Sequence, residues 1–531
     1  MKRIPSLLTA VLLIVVTVCS FFGGCGEATE ENTGAQVTLK VMSWEDYIDD
    51  DDYEDEENDI YEGSVVEEFE KYCKETLGKN VKVEYSTVGT NEEMYTKINL
   101  NKESYDLVCP SEYMIQKMIS ENMLEPLDRT NNKMKMYDDN VSAYIADLFK
   151  RTKIDKDDDS SALYNYAACY MWGTMGFIYN PEFVDTEDVK NWSAVWMDKY
   201  KNKFTIKDSV RDSYVLAIGY AYSDQLKEYS NELKKSLTGD PEKDEQLEAE
   251  YNAKITDLFN SVSDESIEKS GKALSELASK LYGYEVDSGK KDMAAGKIWI
   301  NFAWSGDAVY AMDFAEDPTE VGDKTAELYY VVPEEGSNIF FDGWVMPKGA
   351  KVDLAQEFIN FVSTPHYAQR NMDYIGYTTS IASDEIFENV VANYGYESES
   401  VTEKDGAFFA TDEDGNKIEV FPVDLSYLFK KETDEEGKEY VVYTDTLGRQ
   451  FSTQYPDYET VKRCTVMRHF SDEELVKLNK MWENSKYVEW QGVFVVSMIV
   501  LAALVLAYVI IKLAGAGLFR LPVRKGYKRI D

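Results

Sequence analysis

Val37-Thr38-Leu39-Lys40-Val41-Met42-Ser43-Trp44-Glu45-Asp46-Tyr47 is the stretch on which the reading of this chain turns. Val37, Leu39 and Val41 alternate with polar partners, the period of a strand that buries one face. Downstream, Ser64-Val65-Val66-Glu67 has the spacing of a capping box and predicts a helix with Val65, Phe69, Tyr72 and Cys73 turned inward and Gly78 as its stop. Val81, Val83 and Tyr85 predict a second strand, Asn91 a cap for a helix running through Leu100, and Tyr105 to Cys109 a third strand halted by Pro110. Strand-helix-strand alternation belongs to the α/β class with a parallel sheet, whose ligands gather at the carboxyl ends of the strands. Trp44 and Ser111 both fall just past such ends.

Three segments carry a common chemistry. Trp44-Glu45-Asp46-Tyr47, Trp304-Ser305-Gly306-Asp307 and Phe340-Phe341-Asp342-Gly343-Trp344 each set aromatic rings beside carboxylates. Rings attract cations through their π faces and cover methylene groups, and carboxylates pair with ammonium. The pattern points to a receptor for an organic cation. Taken one at a time, a Trp near a strand end packs and an Asp before Gly makes a turn; it is the repetition that favours recognition. Strand alternation turns Phe341 away from Phe340 and Asp342, into the core.

Composition and chain ends set the location. The chain has 531 residues, 44% of them apolar, and a net charge of −42, enough for two packed cores and a membrane segment. From Lys512 onward it has six bases against one acid, and the first three residues add two bases; subtracting these from totals of 56 and 98 leaves 48 bases against 97 acids. A surface that acidic repels nucleic acid and attracts small cations. Lys2 and Arg3 precede an apolar run ending in Phe22-Gly23-Gly24-Cys25, similar to a lipoprotein cleavage box, so residues 1–25 read as a signal peptide with Cys25 as lipid acceptor; an uncleaved N-terminal membrane helix is the alternative. Gly492 to Ile511 is twenty residues without a charge, which predicts a transmembrane helix over 490–512. The basic residues behind it place the 513–531 tail in the cytoplasm and the main domain outside. Cys73, Cys109, Cys169 and Cys464 are scattered, and only His366 and His469 are present, so neither a disulfide scaffold nor a zinc site is indicated.

A longer series of strings resembles one family. Trp44 to Tyr47, Val83 to Thr87 with Asn91 to Tyr95, Tyr105 to Tyr113, Tyr170-Met171-Trp172-Gly173, Asn191-Trp192-Ser193, Gly296 to Asp307, Phe340 to Pro347 and Tyr374-Ile375-Gly376-Tyr377 are similar, in order and spacing, to the spermidine/putrescine-binding proteins of bacterial ABC importers. The resemblance implies a two-lobed, type II-like periplasmic-binding-protein fold, each lobe a mixed sheet with flanking helices. It implies lobe 1 from 37–165 and 342–382 and lobe 2 from 166–341 and 383–486. It further implies no enzymatic activity and no cofactor, a polyamine ligand, and delivery to ABC permease subunits in the bilayer. The family's pocket positions fall on Trp44, Asp46, Tyr47, Ser111, Tyr113, Asp212, Trp304, Asp307, Phe340, Asp342 and Tyr377. In that assignment the four aspartates hold ammonium groups, the rings flank the methylene chain, and Ser111 and Tyr113 offer hydroxyls.

Departures from the family pattern bear on the ligand. Ser209 replaces an aspartate, Phe340 a tryptophan, and Met467 stands near a usual glutamine, while Asp307 and Phe340-Phe341-Asp342 look more like putrescine-type members. Apart from Lys297, the quoted strings contain no Arg or Lys to hold an anion, yet a same-fold receptor for another solute remains open, as does a carboxylate-based outer-surface hydrolase. Residues 45–59 hold eleven acids and no base; beyond Tyr47 they are expected as a solvated loop, with a calcium site as the alternative. Residues 223–262 are expected as a helical excursion, and the turns at Asp412 to Asn416 and Asp434 to Gly437 as two extra hairpins.

Overall fold

The computed structural model describes residues 35–55, 60–100, 104–322, 324–411, 415–431, 433–434 and 438–515. The expected signal segment with Cys25, nearly all of the basic tail, and the Asp412 to Asp414 turn lie outside them. Val37–Ser43 forms the first strand and pairs in parallel with both Val81–Thr87 and Leu107–Val108. Between the first two runs Val65–Glu75, capped reciprocally by Ser64 and Glu67 and burying Val65, Phe69 and Cys73. The helix Asn91–Asn99 follows, but its cap is Thr90, whose side chain accepts from the Glu93 amide. Asn91 is spent elsewhere, on Ser111.

One sheet runs through the molecule in the order Val81–Thr87, Val37–Ser43, Leu107–Val108, Ser337–Pro347, Ala167–Tyr179, Ile300–Trp304, Phe204–Lys207, Gly283–Glu285. Its two wings are parallel, and its centre is an antiparallel pair, Ser337–Pro347 against Ala167–Tyr179. Both central strands are buried along their whole length, so neither shows the alternation of a half-buried strand. Their register shifts between Asp342 and Gly343, a bulge of the kind that re-aims side chains.

Two hydrophobic cores flank this pair. One gathers Leu39, Phe69, Leu107, Trp172, Phe341, Trp344 and Phe358; the other Phe177, Trp192, Phe204, Leu216, Phe302 and Leu478. Phe341 is fully buried and edge-on to Phe149 at 5.4 Å, while Phe340 belongs to the other core, the separation that strand alternation requires. Core membership does not divide at the expected boundaries. Ala167 to Trp172, Met293, Met312 and Leu328 pack with the first core, as do Ile386, Val390 and buried residues between Leu425 and Cys464, while Met467 to Trp482 pack with the second.

Ala407–Thr411 and Lys417–Asp424 form the first expected hairpin. The second expected turn, Asp434 to Gly437, lies mostly outside the described residues; across it Val441–Thr444 pairs antiparallel with Lys417–Asp424, after the helical turn Ser426–Phe429. The acidic 45–59 run is not wholly solvated. Asp49 is buried and accepts from Arg370 at 2.8 Å, and Arg370 also holds Glu62 at 2.9 Å. The expected excursion forms helices Ser223–Ser236 and Pro241–Phe259.

The last helix spans Asp472–Gly515. Leu478, Met481 and Trp482 seat its first part in the second core. Among the described residues no helix is long and apolar enough to cross a membrane; side chains 487–497 are not among them, which leaves an exposed apolar run from Met498 to Leu513.

Candidate functional site

The carboxyl ends of the parallel strands from both wings face one another across the bulge. Asp342 is at its centre, 7% exposed. The Ser111 hydroxyl donates to its Oδ1 at 2.7 Å and the Tyr47 hydroxyl to its Oδ2 at 2.6 Å. Ser111 begins the helix Glu112–Ser120 but makes no side-chain cap bond, because its hydroxyl is turned to Asp342 and its amide is held by Asn91. Tyr47 is edge-on to Tyr170 at 5.7 Å and to Tyr377 at 5.8 Å, and Phe340 is edge-on to Tyr377 at 5.9 Å. Among the described residues no ion pair reaches Asp342. Burial pushes its carboxyl up to about 6 despite the two hydroxyl bonds.

Glycines make the close approach possible. A Cβ on Gly306 would run into the Tyr377 ring, and one on Gly173 into Phe340 and Ser305. Both positions therefore need the missing side chain for steric reasons.

The opposite half of the site is differently charged. Asp307 accepts from Lys207 Nζ at 3.0 Å, has Lys290 Nζ at 3.6 Å, and takes the Tyr377 hydroxyl at 3.4 Å. Lys207 also pairs with Glu285 at 3.1 Å and lies 4.2 Å from the Trp304 ring centre. Nearby, the Arg211 guanidinium stacks on Tyr113 at 4.5 Å and Phe470 at 4.1 Å and donates to the Arg468 carbonyl. Asp212 is buried beside it, near Ser209, its carboxyl raised to about 6 by desolvation although Ser209, Lys207 and Arg211 pull it down. Glu112, whose Oε2 accepts the Phe341 amide at 3.1 Å, is driven by burial up to about 8 and is neutral at pH 7.

Of the expected positions, Tyr47, Ser111, Phe340, Asp342, Tyr377 and Asp307 are linked by direct contact, with Trp304 joined through Lys207, while Tyr113 stacks on Arg211. Trp44 is half-buried three residues before Tyr47. Asp46 departs from expectation: it is exposed on a left-handed residue, φ 52°, and no contact among the described residues ties it to the cluster. Asp307 departs too, since its ammonium partners belong to the chain itself. Basic residues outside the quoted strings also reach this region: Lys207, Lys290 and Arg211. Lys207 had one visible signal, a basic residue closing the otherwise uncharged strand Phe204–Lys207. Lys290 and Glu285 had none, because only the fold brings them to Asp307.

An antiparallel pair of strands between two cores, with rings and buried carboxylates converging at its bulge, is the arrangement of a solute-binding site. The family described as bacterial extracellular solute-binding protein matches residues 64–386, and the chain belongs to that family. It is a family of binding proteins, not of enzymes. The chain is 27% identical over 330 residues to the spermidine/putrescine-binding periplasmic protein of Escherichia coli K12, covering 61% of this chain and 77% of that one. It is 25% identical over 367 residues to the putrescine-binding periplasmic protein PotF of the same organism, covering 67% and 82%. Among solved structures, the spermidine/putrescine ABC transporter substrate-binding protein PotD of Streptococcus pneumoniae superposes with a TM-score of 0.52 at 24% identity, covering 85% of this chain and 99% of that one. The fold is thus the periplasmic-binding-protein α/β fold.

Proposed function

We propose that the chain is an extracytoplasmic polyamine receptor that takes up a slender diamine or triamine such as putrescine or spermidine and passes it to an ABC permease. The observation that carries this reading is Asp342: a buried carboxylate held by two hydroxyls, walled by Tyr47, Phe340 and Tyr377, and without a cation of its own among the described residues. A buried anion is costly unless paired, and an ammonium supplies the pair. Asp212 offers a second carboxylate of the same kind. Tyr377 and Phe340 cover the methylenes, Trp304 and Tyr113 line the far wall, and Trp44 flanks Tyr47 at the rim, with Asp46 outside it. The names of the relatives support the same ligand class.

The two cores act as lobes, and the antiparallel pair Ala167–Tyr179 and Ser337–Pro347 serves as the hinge, the motion known for periplasmic binding proteins as a class. The uncharged run Gly492–Ile511, with exposed apolar residues such as Ile499, Leu504 and Ile511, supports a membrane tether with the 513–531 tail in the cytoplasm. Lipidation at Cys25 would provide a second anchor. Calorimetric titration of the detergent-purified full chain with putrescine and with spermidine tests the reading. A saturable exotherm with at least one amine is expected, and no heat with either overturns it. Fractionation tests the tether: the full chain sediments with membranes, and loss of residues after Lys486 weakens that association; an unchanged distribution removes the helix as an anchor.

A further inference from the structure

Lys207 is a charged residue in a place where burial alone would forbid one. It ends the strand Phe204–Lys207, its side chain is 1% exposed, and its carboxylate partners Glu285 and Asp307 are 2% and 8% exposed. Its ammonium has three donors, and the structure accounts for all of them: Asp307 Oδ2 at 3.0 Å, the Val286 carbonyl at 2.9 Å and Glu285 Oε1 at 3.1 Å. The same nitrogen lies 4.2 Å from the centre of the Trp304 ring, within cation–π range. Two carboxylates and an indole face around one ammonium are the elements by which a site would hold the end of an aliphatic amine. Here the amine end is on a side chain of the protein, and a lysine stem is itself a four-carbon aminoalkyl arm.

We propose that Lys207 is a built-in surrogate for one ligand ammonium: it fills the Asp307, Glu285 and Trp304 seat from within and thereby limits the receptor to amines that present charge to Asp342 and Asp212 only, short diamines over triamines. The inference rests on the polyamine reading and adds to it a specificity-determining residue. Lys290 reinforces the effect. At 3.6 Å it is a second cation on Asp307, shared with Asp287 at 2.7 Å, so a further ammonium brought there would meet two like charges. Asp342 and Asp212, by contrast, take part in no ion pair among the described residues, and burial raises both toward neutrality in the free receptor. Arg211 does not discharge Asp212 by contact, because its guanidinium is turned to the Tyr113 and Phe470 rings and the Arg468 carbonyl.

The test compares putrescine with spermidine by calorimetry on the full chain and on Lys207→Met. Because Lys207→Met leaves Glu285 and Asp307 buried without their shared cation, a second variant, Lys207→Met with Glu285→Gln, removes one of the two charges and keeps the volume. Melting curves confirm that each variant is folded. The unaltered chain is expected to bind spermidine no more tightly than putrescine, and either folded variant to shift the affinity ratio at least tenfold toward spermidine. An unaltered chain that prefers spermidine tenfold, or a folded variant with the ratio unchanged, overturns the inference while leaving the polyamine reading intact. Failure of the unaltered chain to bind either amine defeats the polyamine reading, and the inference falls with it.

Discussion

Asp342 and Asp307 are the same residue type, both nearly buried, both at the junction of the two wings, and both accept a tyrosine hydroxyl, from Tyr47 at 2.6 Å and from Tyr377 at 3.4 Å. Yet their electrostatic situations are opposite. Asp307 is held between Lys207 and Lys290, whereas Asp342 has, among the described residues, hydroxyl donors alone, and burial moves its titration to about 6. Hydroxyls satisfy the lone pairs of a carboxylate but leave its charge, and only a cation removes the cost of burying that charge. The lesson is that a carboxylate near a cleft says little about ligand charge until its own neighbours have been counted.

The contrast can be broken most directly at Asp342. Replacing Asp342 by Asn keeps the shape and removes the counter-charge of a buried ammonium, a loss of about 3 kcal/mol or on the order of a hundredfold in affinity. Calorimetry with putrescine reads it, and a loss of less than about threefold would place the ammonium elsewhere. The next effect is that of pH. In the free receptor Asp342 and Asp212 titrate near 6, above ordinary carboxylates, and an ammonium partner favours the ionised form, so binding lowers both pKa values and releases protons near pH 6. Affinity then falls as pH drops from 7.5 to 5, by about tenfold for each carboxylate engaged. The neighbours Tyr47, Cys109, Cys169 and Tyr377 are pushed further above neutrality by burial, and Glu112 is already protonated, so none of them masks the transition. Stability of the free receptor runs the other way: with folded pKa values above the unfolded ones, the contribution of these two groups is full below the ordinary carboxylate range and is lost as pH rises through 6. Titrations in buffers of different ionisation enthalpy count the protons, and a flat profile would mean that neither carboxylate meets the ligand. The smallest effect belongs to Asp307. Its replacement by Asn leaves Lys207 with Glu285 and the Val286 carbonyl, so putrescine affinity should change by no more than about threefold, while the melting temperature falls; a loss as large as at Asp342 would erase the distinction between the two halves.

Much of the parallel wing was legible because its signals are local. The Val37 to Ser43 alternation and the Ser64 to Glu67 capping box each lie within a few residues, and both elements form as that pattern dictates. The aromatic and acidic strings were legible for a related reason, since strand ends place their residues on a shared edge. What the pattern could not carry was pairing between distant segments. Thr90, and not Asn91, caps its helix because Asn91 is claimed by Ser111 twenty residues on. Asp49 leaves the solvated loop for Arg370, 321 residues away. The ion-pair partners of Asp307 are Lys207 and Lys290, which share no motif with it. Periodicity reports which face is buried, not which charges meet there.

The final helix has one more implication. Lys486 on it pairs with Asp208 and lies over Tyr284 and Trp482, next to the residue whose ammonium fills the Asp307 seat, and the helix continues without interruption to Gly515. At about 1.5 Å per residue, the six residues from Lys486 to Gly492 rise only about 9 Å before the uncharged run begins. With no flexible linker between the second core and the exposed apolar run, whatever covers that run is coupled mechanically to the lobe that carries the Asp307 seat.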